Sequence, residues 1–116
     1  MEEYNHINGI INEDKAVNYI TKAKKYKLLD KNYSTKIGEI DIICQTKDKT
    51  IVFVEVKHRN TERFGLGREA INEYKINKIK KTAMQYLIQT HNLDKKTRFD
   101  VIDILGDKLD YIENAF

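Results

Sequence analysis

Two short segments of this sequence combine strand-like apolar residues with charged side chains. They are Gly38–Ile43 (GEIDII) and Ile51–Lys57 (IVFVEVK). Side chains of a strand alternate between two faces, so Glu55 and Lys57 point the same way. If the two strands pair, Asp41 comes close enough to Glu55 for both carboxylates to bind one hard divalent cation such as Mg²⁺. Lys57 is then placed to orient or deprotonate a water molecule.

The second segment also has a simpler interpretation. A half-exposed antiparallel strand keeps its valines in the core and its polar side chains in water. However, the run from Ile51 to Val54 is continuously apolar, which favours a strand covered on both faces. A carboxylate buried beside it is costly unless it is paired or bound to metal. The sequence therefore favours a site at Glu55.

Composition limits the architecture and the compartment. A chain of 116 residues is long enough for one core, so we expect residues 1–116 to form a single domain. The one cysteine, Cys44, excludes an intramolecular disulfide and is typical of a reducing compartment. No apolar stretch approaches the length of a membrane span, and the acidic N-terminus lacks signal-peptide character. We expect a soluble, cytoplasmic protein.

Basic charge is segregated along the chain, although the formal net charge is only +3. Seven lysines accompany one acid between Lys15 and Lys36, whereas Asp100–Phe116 contains five acids and one lysine. Such segregation is typical of a surface that meets a polyanionic backbone. Lysine-rich helices are also often solvated faces, so this feature carries little weight alone.

The order of the predicted elements is helix, three strands, helix, two strands. This order predicts an α/β fold with one central mixed sheet flanked by helices. The tight turn between the second and third strands indicates an antiparallel meander. The second helix could begin after a break, with Asn72 as its cap. The predicted ranges are helices 8–26 and 68–91, strands 27–33, 38–45, 50–58, 98–105 and 108–112, and a glycine-containing loop 59–67.

Each predicted helix has an apolar stripe with charged residues beside it. The first stripe contains Ala16, Val17, Ile20 and Ala23, and one turn earlier it reaches Glu13. That carboxylate is either a first-turn residue favoured by the helix dipole or a functional group aimed inward. In the second helix the sequence predicts two different faces, the first apolar and the second rich in lysine. The first comprises Ile76, Ile79, Ala83 and Leu87, and the second Lys75, Lys78 and Lys81.

Four segments together resemble the bacterial YraN-like family of predicted endonucleases. They are Gly38–Ile43, Val52–Arg59, Arg98–Ile102 and Asn114–Phe116. That family is distantly similar to archaeal Holliday junction resolvases and belongs to the PD-(D/E)xK, or restriction-endonuclease-like, superfamily. The resemblance spans residues 9–116. It implies a restriction-endonuclease-like core with a metal site where two strands diverge.

The resemblance also implies roles for individual residues. Asp41 matches the metal-ligating aspartate, Glu55 the second acidic ligand and Lys57 the catalytic lysine. Glu13 matches a helix glutamate of the resolvase-like branch, which favours a functional role for it as a catalytic residue and metal ligand. The main-chain carbonyl of Val56 is expected to complete the ligands. The family usually has glycine where this chain has Asn12, and proline near residues 72–74, where this chain has none.

Two further acids are expected to be structural. Glu39 faces the same side as Asp41. It could support the metal ligands from behind, but we favour a salt bridge at the strand end. Asp100 lies in the Arg98-Phe99-Asp100 motif. We expect it to fix a strand end or to pair with Arg98 rather than to bind a metal.

These observations predict a nuclease that uses Mg²⁺ or Mn²⁺ to hydrolyse phosphodiester bonds in DNA. Arg59, Lys75 and Lys78 are predicted to contact the phosphate backbone. Because the basic residues are mainly lysines, we expect selection by shape, such as branched or single-stranded DNA, rather than by sequence. Resolvase-like relatives often act as homodimers, and the sequence leaves the oligomeric state open. The alternatives are a non-catalytic nucleic-acid-binding module and a structural protein with salt-bridged strand ends.

Overall fold

The computed structural model describes residues 11–59 and 72–116, which contain two helical segments and five strands. Helix α1 comprises residues 11–18 and continues as a π-helical turn, Tyr19–Ala23. None of the helices in this part of the chain is long and apolar enough to cross a membrane. The remaining elements are β1 (Lys27–Ser34), β2 (Glu39–Gln45), β3 (Ile51–Arg59), α2 (Glu73–Gln89), β4 (Thr97–Leu105) and β5 (Lys108–Ile112).

The five strands form one mixed sheet in the order β1-β2-β3-β4-β5. Strands β1, β2 and β3 are an antiparallel meander, as predicted, and β5 pairs antiparallel with β4. Strands β3 and β4 are parallel, which requires a crossover connection, and α2 lies in that connection. The predicted α/β fold is therefore confirmed, and it is consistent with a restriction-endonuclease-like core.

Each face of the sheet is covered by one helix. Strand β3 is buried on both faces, since Ile51 to Val54 are at most 1% exposed. This confirms the prediction drawn from its continuous apolar run. The face under α1 contains Ala16, Ile20, Ile42, Cys44, Val52, Val54, Ile102 and Ile104. The face under α2 contains Ile40, Ile43, Ile51, Phe53, Ile79, Ala83, Tyr86 and Leu87.

The first helix ends differently from the prediction. Its last turn is π-helical, and the Lys24 N–H donates to the Tyr19 carbonyl five residues earlier. A π turn contains an additional residue, which rotates the following side chains around the axis. Ala23 is consequently exposed, so its assignment to the apolar stripe was wrong. Lys25 then adopts a left-handed conformation (φ 59°) that ends the helix.

Helix α2 begins after Asn72, as the sequence suggested. The Asn72 side chain accepts a hydrogen bond from the Lys75 N–H at 2.9 Å, which caps the first turn. Ile79, Ala83 and Leu87 are buried against the sheet, as predicted. Residues 68–71 of the predicted helix, and residues 60–67 of the predicted loop, lie outside the described residues.

A buried carboxylate fastens the C-terminus to the sheet. Asp100 is fully buried and accepts hydrogen bonds from Arg98 Nε and from Nη2, both at 2.9 Å. The Tyr111 hydroxyl and the Asn114 N–H donate to the same carboxylate. Beyond it, the Phe116 ring stacks on Phe99 with centroids 5.3 Å apart. The predicted Arg98–Asp100 pair is confirmed.

We expect Asp100→Ala to lower the free energy of unfolding by about 3 kcal/mol, because Arg98 and Tyr111 lose a buried partner. Asp94→Ala is the matched control, since Asp94 is exposed, and should change stability by less than about 0.5 kcal/mol. Urea denaturation measures both variants. A loss below about 1 kcal/mol in Asp100→Ala would show that the carboxylate does not anchor the C-terminus.

Candidate functional site

Asp41 and Glu55 meet where the pairing of β2 with β3 stops. The last paired residues at this end are Ile42 and Val54, and Asp41 and Glu55 follow them. Beyond this point the Val56 N–H has no backbone partner on β2. It donates instead to the Asp41 side chain, at 2.8 Å from Oδ2. The two carboxylates thus lie where β2 and β3 diverge, while β3 continues beside β4.

Glu55 and Lys57 lie on the face of β3 that packs against α2. Phe53 belongs to the core under α2, and residues 55 and 57 share its face because side chains alternate. This places the Glu-x-Lys pair as the sequence predicted. Both residues border a cavity of about 260 Å³, lined by Gly38, Glu39, Asp41, Glu55, Val56, Lys57, Lys75, Lys78 and Ile79.

Gly38 allows α2 to form one wall of this cavity. A Cβ atom at position 38 would lie 3.2 Å from Thr82 Oγ1 and 3.7 Å from Lys78 Cβ. Glycine therefore permits a close approach between the start of β2 and the helix. The side chains of Lys75 and Lys78 reach the cavity from that wall.

The sequence did not predict that Lys75 contacts Glu55. Lys75 was predicted to lie with Lys78 and Lys81 on a lysine face, yet its Nζ lies 3.4 Å from Glu55 Oε2. The relevant signal is its spacing, because Lys75 precedes the buried Ile79 by four residues and Thr82 by seven. The Asn72 cap also fixes the backbone of Lys75. Lys57 lies close enough to Lys75 for each lysine to shift the pKa of the other, so two lysines approach one carboxylate.

Burial dominates the electrostatics of this site. Glu55 is 5% exposed. Desolvation, and then the negative charge of Asp41, raise its pKa to about 7, although Lys75 and Lys57 oppose the shift. The pKa of Lys57 is lowered, first by burial and then by Lys75. Burial also disfavours the charged form of Lys75, but its contacts with Lys57 and Glu55 leave its pKa raised.

The donor atoms fit a hard divalent cation. Three carboxylate residues, Glu39, Asp41 and Glu55, border the cavity together with Val56. Mg²⁺ is commonly bound through one or two carboxylates while it keeps several waters. A cation would also relieve the repulsion that raises the pKa of Glu55. Within residues 11–59 and 72–116, no three His, Cys, Asp or Glu side chains form a metal cluster. Asp41 and Glu55 are thus a two-carboxylate set.

Glu13 lies elsewhere in the described structure. Its Oε1 accepts a hydrogen bond from Asn32 Nδ2 at 3.0 Å and lies 3.7 Å from Lys31 Nζ. These contacts join α1 to β1, and Glu13 is not among the residues that line the cavity. The structure therefore does not bring Glu13 together with Asp41 and Glu55. Its predicted metal role stays a prediction.

The other predicted phosphate-binding residues have distinct surroundings. Arg59 donates two hydrogen bonds to Asp103, at 3.2 and 2.8 Å, and its side chain is 10% exposed. Lys78 is exposed at the cavity wall, with its Nζ 4.7 Å from the Tyr74 ring centroid. Lys78 therefore remains accessible to a ligand, whereas its hydrogen bonds to Asp103 direct Arg59 towards β4.

Glu55→Gln should stabilise the metal-free protein at pH 8. Because the folded pKa of Glu55 is about 7 and its ordinary value 4.5, the native state binds more protons between these values and loses stability as pH rises. We expect the variant to gain about 1–3 kcal/mol at pH 8, since one pKa unit corresponds to about 1.4 kcal/mol. Urea denaturation with a chelator at pH 5 and 8 measures this. Parallel pH profiles for both proteins would contradict the account.

The comparisons with known proteins agree on one family. The model of the uncharacterised protein family UPF0102 matches residues 12–104. A UPF0102 protein of a Sulfurihydrogenibium species is 52% identical over 104 residues, covering 90% of this chain and 89% of that protein. A second, from Fusobacterium nucleatum, is 49% identical over 102 residues, covering 88% and 84%. The chain therefore belongs to the UPF0102 family, as its YraN-like motifs indicated.

Proposed function

We propose that this protein is a divalent-metal-dependent nuclease that hydrolyses phosphodiester bonds in DNA. The observation that carries the proposal is the convergence of Asp41, Glu55, Lys57 and Lys75 on one cavity. Two carboxylates supply oxygen ligands, and two lysines supply positive charge beside them. This combination matches the needs of phosphodiester hydrolysis, in which charge develops on phosphoryl oxygens.

The acidic residues provide the binding half of the site. Asp41, Glu55 and the carbonyl of Val56 would hold Mg²⁺ or Mn²⁺, which supplies a water of lowered pKa and positive charge for the phosphate. Asp41 is held in place by the Val56 N–H, which leaves its second oxygen for a ligand. Glu55 is held by burial and by Lys75. Both carboxylates are thereby oriented before a ligand arrives.

The lysines provide the substrate-facing half. Lys57 shares the sheet face of Glu55, where its ammonium can orient the attacking water or balance negative charge in the transition state. Its lowered pKa, caused by burial and then by Lys75, brings it closer to the range of a general base. Lys75 and Lys78 line the same cavity from α2 and offer charged donors to a phosphate.

Single substitutions of the carboxylates and of Lys57 should distinguish residues that bind the metal from residues that act only in cleavage. We expect Asp41→Asn and Glu55→Gln to weaken Mn²⁺ binding and to slow cleavage at least about 100-fold. Lys57→Ala should slow cleavage comparably while it keeps most Mn²⁺ affinity, because it removes no metal ligand. Calorimetric Mn²⁺ titration and cleavage of branched, single-stranded and duplex DNA measure these effects. Asp110→Asn, at an exposed position of β5, is the control.

Unchanged Mn²⁺ affinity in both carboxamide variants would remove the proposed metal site. Wild-type protein that binds DNA but leaves the whole panel uncut would favour the non-catalytic binding module instead. Glu13→Gln belongs in the same series. Lost turnover with unchanged thermal stability would support its predicted metal role, whereas a lower melting temperature with normal turnover would assign Glu13 to the contact between α1 and β1.

Substrate choice should depend on shape rather than on sequence. The cavity presents lysines, which act as point charges on phosphates and carry little base information. We therefore expect cuts to keep a constant position relative to a branch point in unrelated sequences. Mapping the products on several junctions of one shape measures this. A constant short sequence at every cut, wherever the branch lies, would contradict it.

A further inference from the structure

Lysines from three separate parts of the chain converge at the end of the sheet farthest from the cavity. They follow α1, occupy the turn between β2 and β3, and precede β4. All except the half-buried Lys24 are exposed. We call this group the distal lysine surface, and its members are Lys24, Lys25, Lys27, Lys47, Lys49, Lys95 and Lys96.

Strand register brings these lysines together. Lys27 pairs with Gln45, and Gln45 pairs with Ile51 across the next ladder. Ile51 in turn pairs with Thr97, and its N–H donates to the Lys96 carbonyl at 2.8 Å. The starts of β1, β3 and β4 and the end of β2 therefore lie side by side. These lysines are up to about 70 positions apart in the sequence, so it is the strand pairing that brings them together.

Three lysines of the distal lysine surface border a second cavity, of about 480 Å³. Its lining includes Lys24, Lys25, Lys47 and the ring of Tyr26. Lys24 lies over aromatic rings, with its Nζ 4.7 Å from the Tyr111 centroid and 5.6 Å from that of Tyr26. Cation–π contact holds this ammonium in place without neutralising its charge.

The acids in this region do not balance the lysines. Asp48 accepts hydrogen bonds from the Thr46 hydroxyl and the Thr50 N–H, which hold its pKa low, with a smaller contribution from Lys96. Asp94 is exposed just before Lys95. Arg98 also lines the cavity, but its charge is matched by Asp100 and Glu113. Among residues 11–59 and 72–116, seven lysines therefore accompany two acids outside the Arg98 cluster.

Two of these lysines occupy backbone positions that suit other residues better. Lys25 and Lys49 have φ of 59° and 73°, in the left-handed region that glycine and asparagine adopt most readily. A lysine there costs on the order of 1 kcal/mol. Gly or Asn would fit both backbone positions with less strain.

We propose that the distal lysine surface is a second nucleic-acid-binding surface that contacts the phosphate backbone of a duplex outside the catalytic cavity. The choice of partner rests on the proposed function, and the charge complementarity is that of lysines with phosphates. Lys27 of the distal lysine surface pairs with Gln45, which lies four residues along β2 from Asp41. At the rise of a strand, Gln45 and Asp41 are about 13 Å apart. A branched substrate can therefore place one arm at the cavity and another at the distal surface.

The test is duplex binding in the presence of a chelator, where no cleavage occurs. Lys25→Asn, Lys49→Asn and Lys96→Gln are combined in one variant, and the asparagines suit the left-handed positions, so the fold should be kept. Fluorescence anisotropy with a labelled duplex at several salt concentrations reports affinity. We expect the slope of log Kd against log salt to fall by about two to three, because each lost phosphate contact removes about one unit.

A matched variant removes the same charge elsewhere, through Lys15→Gln, Lys81→Gln and Lys108→Gln, all at exposed positions. Its slope should change by less than one unit. Equal losses in the two variants, an unchanged slope in the distal variant, or wild-type protein that does not bind duplex would overturn the proposal. Failure of the proposed nuclease is distinguishable, since it leaves this binding intact while the wild-type protein cuts no DNA.

Discussion

The arrangement of this protein depends on one unfavourable interaction, the burial of Glu55 beside Asp41. Where β2 and β3 diverge, the two carboxylates repel each other and Glu55 loses hydration, and this raises the pKa of Glu55 to about 7. The surroundings compensate only in part, through the Val56 N–H at Asp41 and the Lys75 ammonium at Glu55. A divalent cation would complete the compensation. The site therefore carries an electrostatic cost that metal binding can offset.

The rest of the fold holds this pair in place. Strand β3 is covered by α1 on one face and α2 on the other, so Glu55 cannot turn into solvent. The Asn72 cap sets where α2 begins, and this decides that Lys75 points at Glu55. On β4, the strand next to β3, Asp100 holds the C-terminal residues through a hydrogen bond from the Asn114 N–H. Packing and capping therefore determine the chemistry available at the cavity.

The sequence predicted the mixed sheet and the shared face of Glu55 and Lys57, because both follow from apolar runs and period-two alternation. It placed Ala23 wrongly, since a π turn changes helical phase without a recognisable sequence signal. It also missed Lys75 as a partner of Glu55. A lysine one turn before an apolar stripe either reaches solvent or enters a pocket, and only the position of the neighbouring strand decides between them.

The central claim is that Asp41 and Glu55 form a binding site for a divalent cation. Anomalous diffraction from crystals grown with Mn²⁺ tests it most directly, because the ion is located without reference to activity. The account predicts one anomalous peak within coordination distance of both carboxylates, with the Lys75 ammonium displaced from Glu55. A fully occupied Mn²⁺ site elsewhere, with the Lys75–Glu55 ion pair intact and no peak between the two carboxylates, would contradict it.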